Sequence, residues 1–313
     1  MRIAALSGGV GGAKLALGLD RVIGSEDLTL IANTGDDFTH HGLPVSPDID
    51  TLVYTLARLN DEARGWGLEG ETWGFMEALG RLGGETWFNL GDRDLAMHVL
   101  RAEALARGET LSEATDRVRQ RLGIAARILP MSDRPIPTIV KTVEHGDMPF
   151  QRYFVERQAA PTVTGFRFEG AEAAAPAPGV LAAIAAAEAI VVCPSNPFIS
   201  IDPVLATPGV RQALRDAAAP VVAVSPIVAG EAIKGPTAKM FRELGFTPSP
   251  AAVADRYRDF LDVMIVDERD AATADDVAAL GLKVELAQTV MRSLDDKIAL
   301  ARTALAAAEA RTG

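Results

Sequence analysis

The residues best suited to chemistry fall in short loops. The first is Ser7-Gly-Gly-Val-Gly-Gly-Ala-Lys14, with glycine at 8, 9, 11 and 12 and a lysine at its end. Glycines allow a tight turn and close approach of a ligand to the backbone. A helix N-terminus aimed at such a turn attracts phosphate through its free N–H groups, and Lys14 adds a point charge. Two familiar phosphate-loop patterns fail on detail. The dinucleotide pattern needs a third glycine where Lys14 stands, and the mononucleotide P-loop needs Gly-Lys-Ser/Thr where Ala13-Lys14-Leu15 stands. Next come two acidic loops, Asn33-Thr-Gly-Asp-Asp37 and Ser46-Pro-Asp-Ile-Asp50. Carboxylates beside a phosphate site repel the ligand unless a cation bridges them, and magnesium does this with one or two carboxylates plus phosphate oxygens. Asp36, Asp37, Asp48 and Asp50 are therefore the candidate metal ligands, with Mg2+ as the expected cofactor. Two alternatives stand beside this: helix capping by Asp48 or Asp50, and ribose binding by Asp36 or Asp37.

Three later loops add polar groups. Trp87-Phe-Asn-Leu-Gly-Asp-Arg-Asp94 offers Arg93, whose planar fork suits phosphate. Its Asp92 and Arg93 could equally form a surface ion pair, and its aromatics could pack a core. Cys193-Pro-Ser-Asn-Pro197 puts Ser195 and Asn196 in a stiff loop, where Asn196 either reads a base or makes an Asx turn. Lys234-Gly235-Pro236 opens another helix and is anion-friendly. Cys193, at the end of an apolar run, reads as a small buried residue. The histidines, His40 and His41 included, show no metal-ligand spacing.

These loops need a scaffold that gathers them. Apolar runs at Ile3–Leu6, Leu28–Ala32, Ala189–Cys193, Val221–Val224, Val263–Val266 and Leu282–Leu286 read as strands. Helical stretches lie between them, and Arg292–Ala310 closes the chain as a helix. Strands alternating with helices predict an α/β fold: a Rossmann-like, doubly wound, mostly parallel sheet. In such sheets the loops after the strands meet at the carboxyl edge, where ligands bind. Residues 1–60 and 180–313 form the expected nucleotide-binding core. Residues 61–179 read as an inserted α+β cap, helical over 93–123 and then a set of short strands.

Composition narrows the function. The 313 residues are 48% hydrophobic, ample for a core, and the formal net charge of −11 argues against nucleic acid as a partner. A single cysteine excludes an internal disulfide framework and fits a reducing cytoplasm, the expected location. No apolar run reaches membrane-spanning length, so no membrane partner is expected.

Taken in order, SGGVGGAKLALGL, NTGDD, SPDIDTLVYTL, LGDRDLA, LPMSDRPI, PSNPFISI and SPIVAGEAIKGPTA resemble the 2-phospho-L-lactate transferase family, CofD. The resemblance implies a transferase step in making coenzyme F-420. A guanosine diphosphate-linked donor passes a phospho-acid to the deazaflavin alcohol FO and releases GMP. It implies magnesium and a Rossmann-like core. It also implies that Asp50 contacts FO, with Asn89 and Arg93 alongside, and on that chemistry Asp48 and Asp50 are the candidate catalytic residues, one of them accepting the hydroxyl proton. Gly8, Gly9, Gly11, Gly12, Lys14, Ser195, Asn196, Lys234 and Gly235 are then the candidate nucleotide and phosphate contacts. Lactate, enolpyruvate and glycerate all remain open as the donor's acid, and a homodimer is expected. Two rivals share the glycine loop: a regulatory protein that binds nucleotide-sugars without catalysis, and a nicotinamide dehydrogenase, which Lys14 at the third-glycine place disfavours.

Overall fold

Runs of branched and small apolar residues, too short for helices, become strands covered on both faces. A computed structural model of the chain describes residues 1–312. Its main sheet contains β1 (Ile3–Ser7), β2 (Leu28–Ala32), β3 (Arg127–Pro130), β4 (Ala189–Val192), β5 (Val221–Val224), β6 (Val263–Asp267) and β7 (Lys283–Ala287). The order across the sheet is β7-β6-β5-β4-β1-β2-β3, and every pairing is parallel. Leu6 lies between Ile31 of β2 and Val192 of β4. The order reverses between β1 and β4, which makes that point the crevice where a doubly wound sheet takes its ligand. The α/β, Rossmann-like class expected from the alternating pattern is thus the observed one.

Because side chains alternate along a strand, the sheet carries a core on each face. Ala4, Leu6, Ile31, Ile190 and Val192 belong to one, and Ile3, Ala5, Leu28, Leu30 and Val191 to the other. The second is closed by helix α1 (Gly9–Ile23) and by the C-terminal helix α4 (Leu294–Thr312). Two further helices matter for the site: α2 (Pro47–Leu56) and α3 (Asp94–Ala106). Proline at the first helical position preorganises the start of α2, and Arg58, with φ at 58°, ends its run.

The middle of the chain holds the short helices Gly74–Arg81 and Leu111–Arg121, and an antiparallel sheet of Gly146–Pro149, Thr138–Thr142 and Val163–Phe168. Val45, Met76 and Leu90, with Phe38, Trp73 and Phe88, make a small separate core there. One segment departs from the expectation that 61–179 lies outside the main sheet. Arg127–Pro130 is its edge strand, pairing with Thr29–Ala32. A short strand was expected there, but four residues ending in proline carry too little pattern to show which sheet they join.

Candidate functional site

The loop after β1 and the loop after β4 flank the switch point, and a cavity of about 620 Å³ opens there. Its wall includes Gly8, Gly9, Gly11, Lys14, Asp36 and Asp48, and also Asp50, Asn89, Lys234 and Gly235.

The glycine loop is held by close packing. Gly9 has a φ of +64°, a conformation that costs an L-residue, and it starts α1. Its N–H donates to Asp48 Oδ1 at 2.7 Å. A Cβ on Gly11 would lie 2.3 Å from the Pro194 carbonyl oxygen, so glycine lets the two loops touch. Gly12 is buried against Ser7 and does not line the cavity.

Ser195 and Asn196 face the cavity with their side chains already engaged. The Ser195 hydroxyl donates to Gly8 O at 2.8 Å and accepts from Gly8 N at 3.2 Å. Asn196 Oδ1 caps the next turn at Phe198 N, 2.9 Å away, which is the Asx turn of the alternative reading. Lys14 Nζ donates to Met291 O at 3.0 Å, and burial, then Lys234 and Lys297, lower its pKa. Cys193 is buried, and burial pushes its thiol up to about 12, as befits a packing residue.

The four aspartates do not form one set. Asp37 does not line the cavity; it accepts from Ser46 Oγ at 2.7 Å. Asp50 accepts from the buried guanidinium of Arg101 on both oxygens, Nη1 lying 3.2 Å from Oδ2. Asp36 and Asp48 remain as a buried pair joined by the amide of Asn33, whose Nδ2 lies 3.1 Å from Asp36 Oδ1 and 2.8 Å from Asp48 Oδ2. Burial pushes the Asp48 carboxyl up to about 6, against the bonds from Asn33 and Gly9. Burial, and then Asp48, raise Asp36 well above the carboxylate range.

Among the described residues no group of three or more His, Cys, Asp or Glu side chains could hold a metal ion by itself. Of the expected quartet, Asp36 and Asp48 are the two that line the cavity without a cationic partner, since Arg101 pairs with Asp50 and Asp37 lies off the cavity wall. Two adjacent buried carboxylates joined by a neutral amide fit a hard cation that completes its shell with ligand oxygens and water.

Asp50 belongs to a network that the sequence reading missed. Asp50 and Tyr54 sit one turn apart on α2; Asp94, His98 and Arg101 share one face of α3. Tyr54 donates to Asp94 Oδ1, and His98 Nε2 lies 3.2 Å from Asp94 Oδ2. Arg101 Nη1 also reaches His98 Nδ1 at 3.4 Å and Pro44 O at 3.3 Å. Burial works against the Arg101 charge, but Asp50 holds its pKa above the ordinary value. Burial likewise opposes the charge on Asp94, and the bonds from His98 and Tyr54 outweigh it. The signal was present as helical spacing, 50/54 facing 94/98/101. Only the packing of α2 on α3 turns it into a site.

Asn89 is exposed at the cavity wall. Arg93 is not there: its guanidinium donates to Glu69 O at 2.6 Å, outside the cavity. Asp92 makes no ion pair with it and instead caps the helix that begins at Gly74, accepting from Gly74 N at 2.9 Å and Phe75 N at 2.8 Å. Trp87 and Phe88 pack with Phe38 and His40. Burial, then His41, lower the His40 pKa to about 4. No helix among the described residues is long and apolar enough to cross a membrane.

With this geometry in hand, comparison with known proteins is direct. The family model described as 2-phospho-L-lactate transferase CofD matches residues 3–299. A phosphoenolpyruvate transferase of Streptomyces griseus is 41% identical over 314 residues, 99% of each chain. A 2-phospho-L-lactate transferase of Methanosarcina mazei is 39% identical over 295 residues, 94% of this chain and 96% of the other. A crystal structure of a UPF0052 family member from Bacillus halodurans superimposes with a TM-score of 0.66 at 16% identity, covering 97% of this chain and 98% of that one. At that identity the likeness concerns the fold.

Proposed function

Because the chain belongs to the 2-phospho-L-lactate transferase family, CofD, and is a transferase, we propose that it makes the phosphodiester of a coenzyme F-420 precursor. A guanosine diphosphate-linked donor carries the phospho-acid, FO is the acceptor alcohol, and GMP leaves. The observation that carries this reading is the pair Asp36 and Asp48, buried beside a glycine loop in the wall of a cavity of about 620 Å³. Acids in that place suit a ligand whose negative charge arrives with a cation.

On this reading the donor diphosphate lies along Gly8, Gly9 and Gly11, with Lys14 and Lys234 on either side. Asp36 and Asp48 would hold magnesium, which when bound would offset the diphosphate charge. The FO hydroxyl oxygen bonds to the phosphorus that carries the acid. The bond from that phosphorus to the bridging oxygen breaks, and its electron pair leaves on GMP. Asp50 accepts a hydrogen bond from the attacking hydroxyl and Asn89 contacts the acceptor. Arg101 on both Asp50 oxygens makes Asp50 an orienting group more than a base. In a loose phosphoryl-transfer transition state, positioning and electrostatics supply most of the acceleration, so a fixed acceptor serves. The hydroxyl proton is lost late, once the new bond has formed, along its hydrogen bond to Asp50 and from there to solvent.

Relatives of similar identity are named for phosphoenolpyruvate and for 2-phospho-L-lactate, so the donor's acid is the open variable. The test is to incubate the protein with magnesium, FO and guanosine donors bearing lactate, enolpyruvate or glycerate. One donor should yield GMP and the phosphodiester in equal amounts by mass spectrometry. Absence of product with all three overturns the proposal.

A further inference from the structure

The geometry points to Arg101 and His98 as positioning residues for the acceptor alcohol, acting through Asp50; this inference rests on the transferase reading above. Arg101 is buried at 4% exposure and His98 at 1%. A guanidinium can only donate, so the contact from Arg101 Nη1 makes His98 Nδ1 an acceptor. The ring proton is then on Nε2, which donates to Asp94 Oδ2 at 3.2 Å. Asp94 Oδ1 accepts from the Tyr54 hydroxyl.

The chain of bonds therefore runs one way, from Tyr54 and His98 into Asp94 and from Arg101 into His98, Pro44 O and Asp50. Every hydrogen-bonding atom of the imidazole is used, which leaves His98 no nitrogen for a substrate proton although its ring is part of the cavity wall. Its work is orientation. It fixes the plane of the Arg101 fork, and the fork fixes the plane of the Asp50 carboxylate. Each carboxylate oxygen keeps a further lone pair, and Asp50 lines the cavity, so a fixed carboxylate plane fixes where it can accept. A hydroxyl that meets an acceptor already aimed needs less ordering on binding.

The prediction is a split between the two substrates. Replacing His98 with leucine removes both bonds and should raise the acceptor KM about tenfold, with the donor KM within about twofold, since a lost hydrogen bond to a charged group has that order of effect. His98→Gln can still accept from Arg101 and donate toward Asp94, and should recover most of the loss. Arg101→Lys keeps the charge without the fork and should show the same split. It carries the test if His98→Leu does not fold, as judged by thermal melting. FO fluorescence titration without donor gives a second readout, in which acceptor affinity falls in step with KM.

Wild-type protein that neither binds nor turns over FO would sink the transferase reading, and this inference with it. Active wild type with variants that melt earlier yet keep the acceptor KM, or that raise both KM values together, would sink this inference alone.

Discussion

Asp48 and Asp50 stand two positions apart on α2, yet the cavity treats them oppositely. At the glycine-loop end, Asp48 shares a buried space with Asp36, and the neutral amide of Asn33 stands between them. At the other end, Asp50 is gripped by Arg101, which His98 and Pro44 hold in turn. At one end burial works against the charged forms of two carboxyls that no cation offsets; at the other a guanidinium meets the carboxylate on both oxygens. The first suits a site completed by a cation and an anionic ligand. The second suits a neutral, hydroxyl-bearing ligand met by a preformed acceptor. On the proposed reading, the contrast places the donor beside Asp36 and Asp48 and the acceptor beside Asp50.

Breaking the compensated end should cost the most stability. Arg101→Met strands Asp50 as an unpaired buried charge and should destabilise the fold by about 3–5 kcal/mol, read by denaturant unfolding. A variant as stable as wild type would mean that Asp50 is not charged in the folded protein. Breaking the uncompensated end should instead cost function. Asp48→Asn should lower turnover by about two to three orders of magnitude, the scale for losing a group that meets charge in the transition state. Its melting temperature should change little, because the acceptor bond that asparagine cannot make is offset by the relief of burying a second carboxyl beside Asp36. A marked loss of stability without loss of turnover would reverse the comparison.

A pH series sharpens the same point. Asp48 titrates near 6 in the folded protein against 3.8 in the open chain, so the folded state holds the extra proton between those values. Its contribution is greatest below about pH 4 and is lost as pH rises through 6, about 3 kcal/mol in all at 1.36 kcal/mol per unit. The unfolding free energies of wild type and Asp48→Asn should therefore diverge across that window. Parallel curves would show that Asp48 is not strained by burial. Asp267 supplies the opposite sign for control: its bonds to Arg269 and Thr289 overcome burial and hold it at about 2, so its contribution is lost as pH falls from about 4 through 2.

The smallest effect concerns how the loops touch. Gly11→Ala would press a methyl group against the Pro194 carbonyl oxygen and should cost about 1–3 kcal/mol, the usual range for overpacking. A melting curve checks it, and a neutral result would mean that the two loops are less closely apposed than described.

Much of the scaffold was legible because it is local. Ile3–Ser7 followed by glycines and a helix, and Ala189–Val192 followed by Pro194, announce strands with ligand loops at their ends. Short strands after residue 123 were also legible, but not that Arg127–Pro130 would leave the cap and pair with β2 at the edge of the main sheet. Of the candidate site residues, the glycines at 8, 9 and 11, Lys14, Asp36, Asp48, Asp50, Asn89, Ser195, Asn196, Lys234 and Gly235 line the cavity. Gly12, Asp37 and Arg93 lie elsewhere, each drawn away by a neighbour that loop composition does not reveal.

What the chain's own order determined is which loops carry acids, glycines and lysines, and that a parallel sheet would collect them at one edge. Those properties follow from strand and helix periodicity and from backbone conformation, which act over a few residues. What only the tertiary structure decided is the charge state of each acid. Asp50 meets Arg101 fifty-one positions away, whereas Asp48 meets Asp36 and Asn33. Burial and Coulomb interactions depend on distance through space, and nothing in the spacing of two aspartates on one helix says which of them will find a cation.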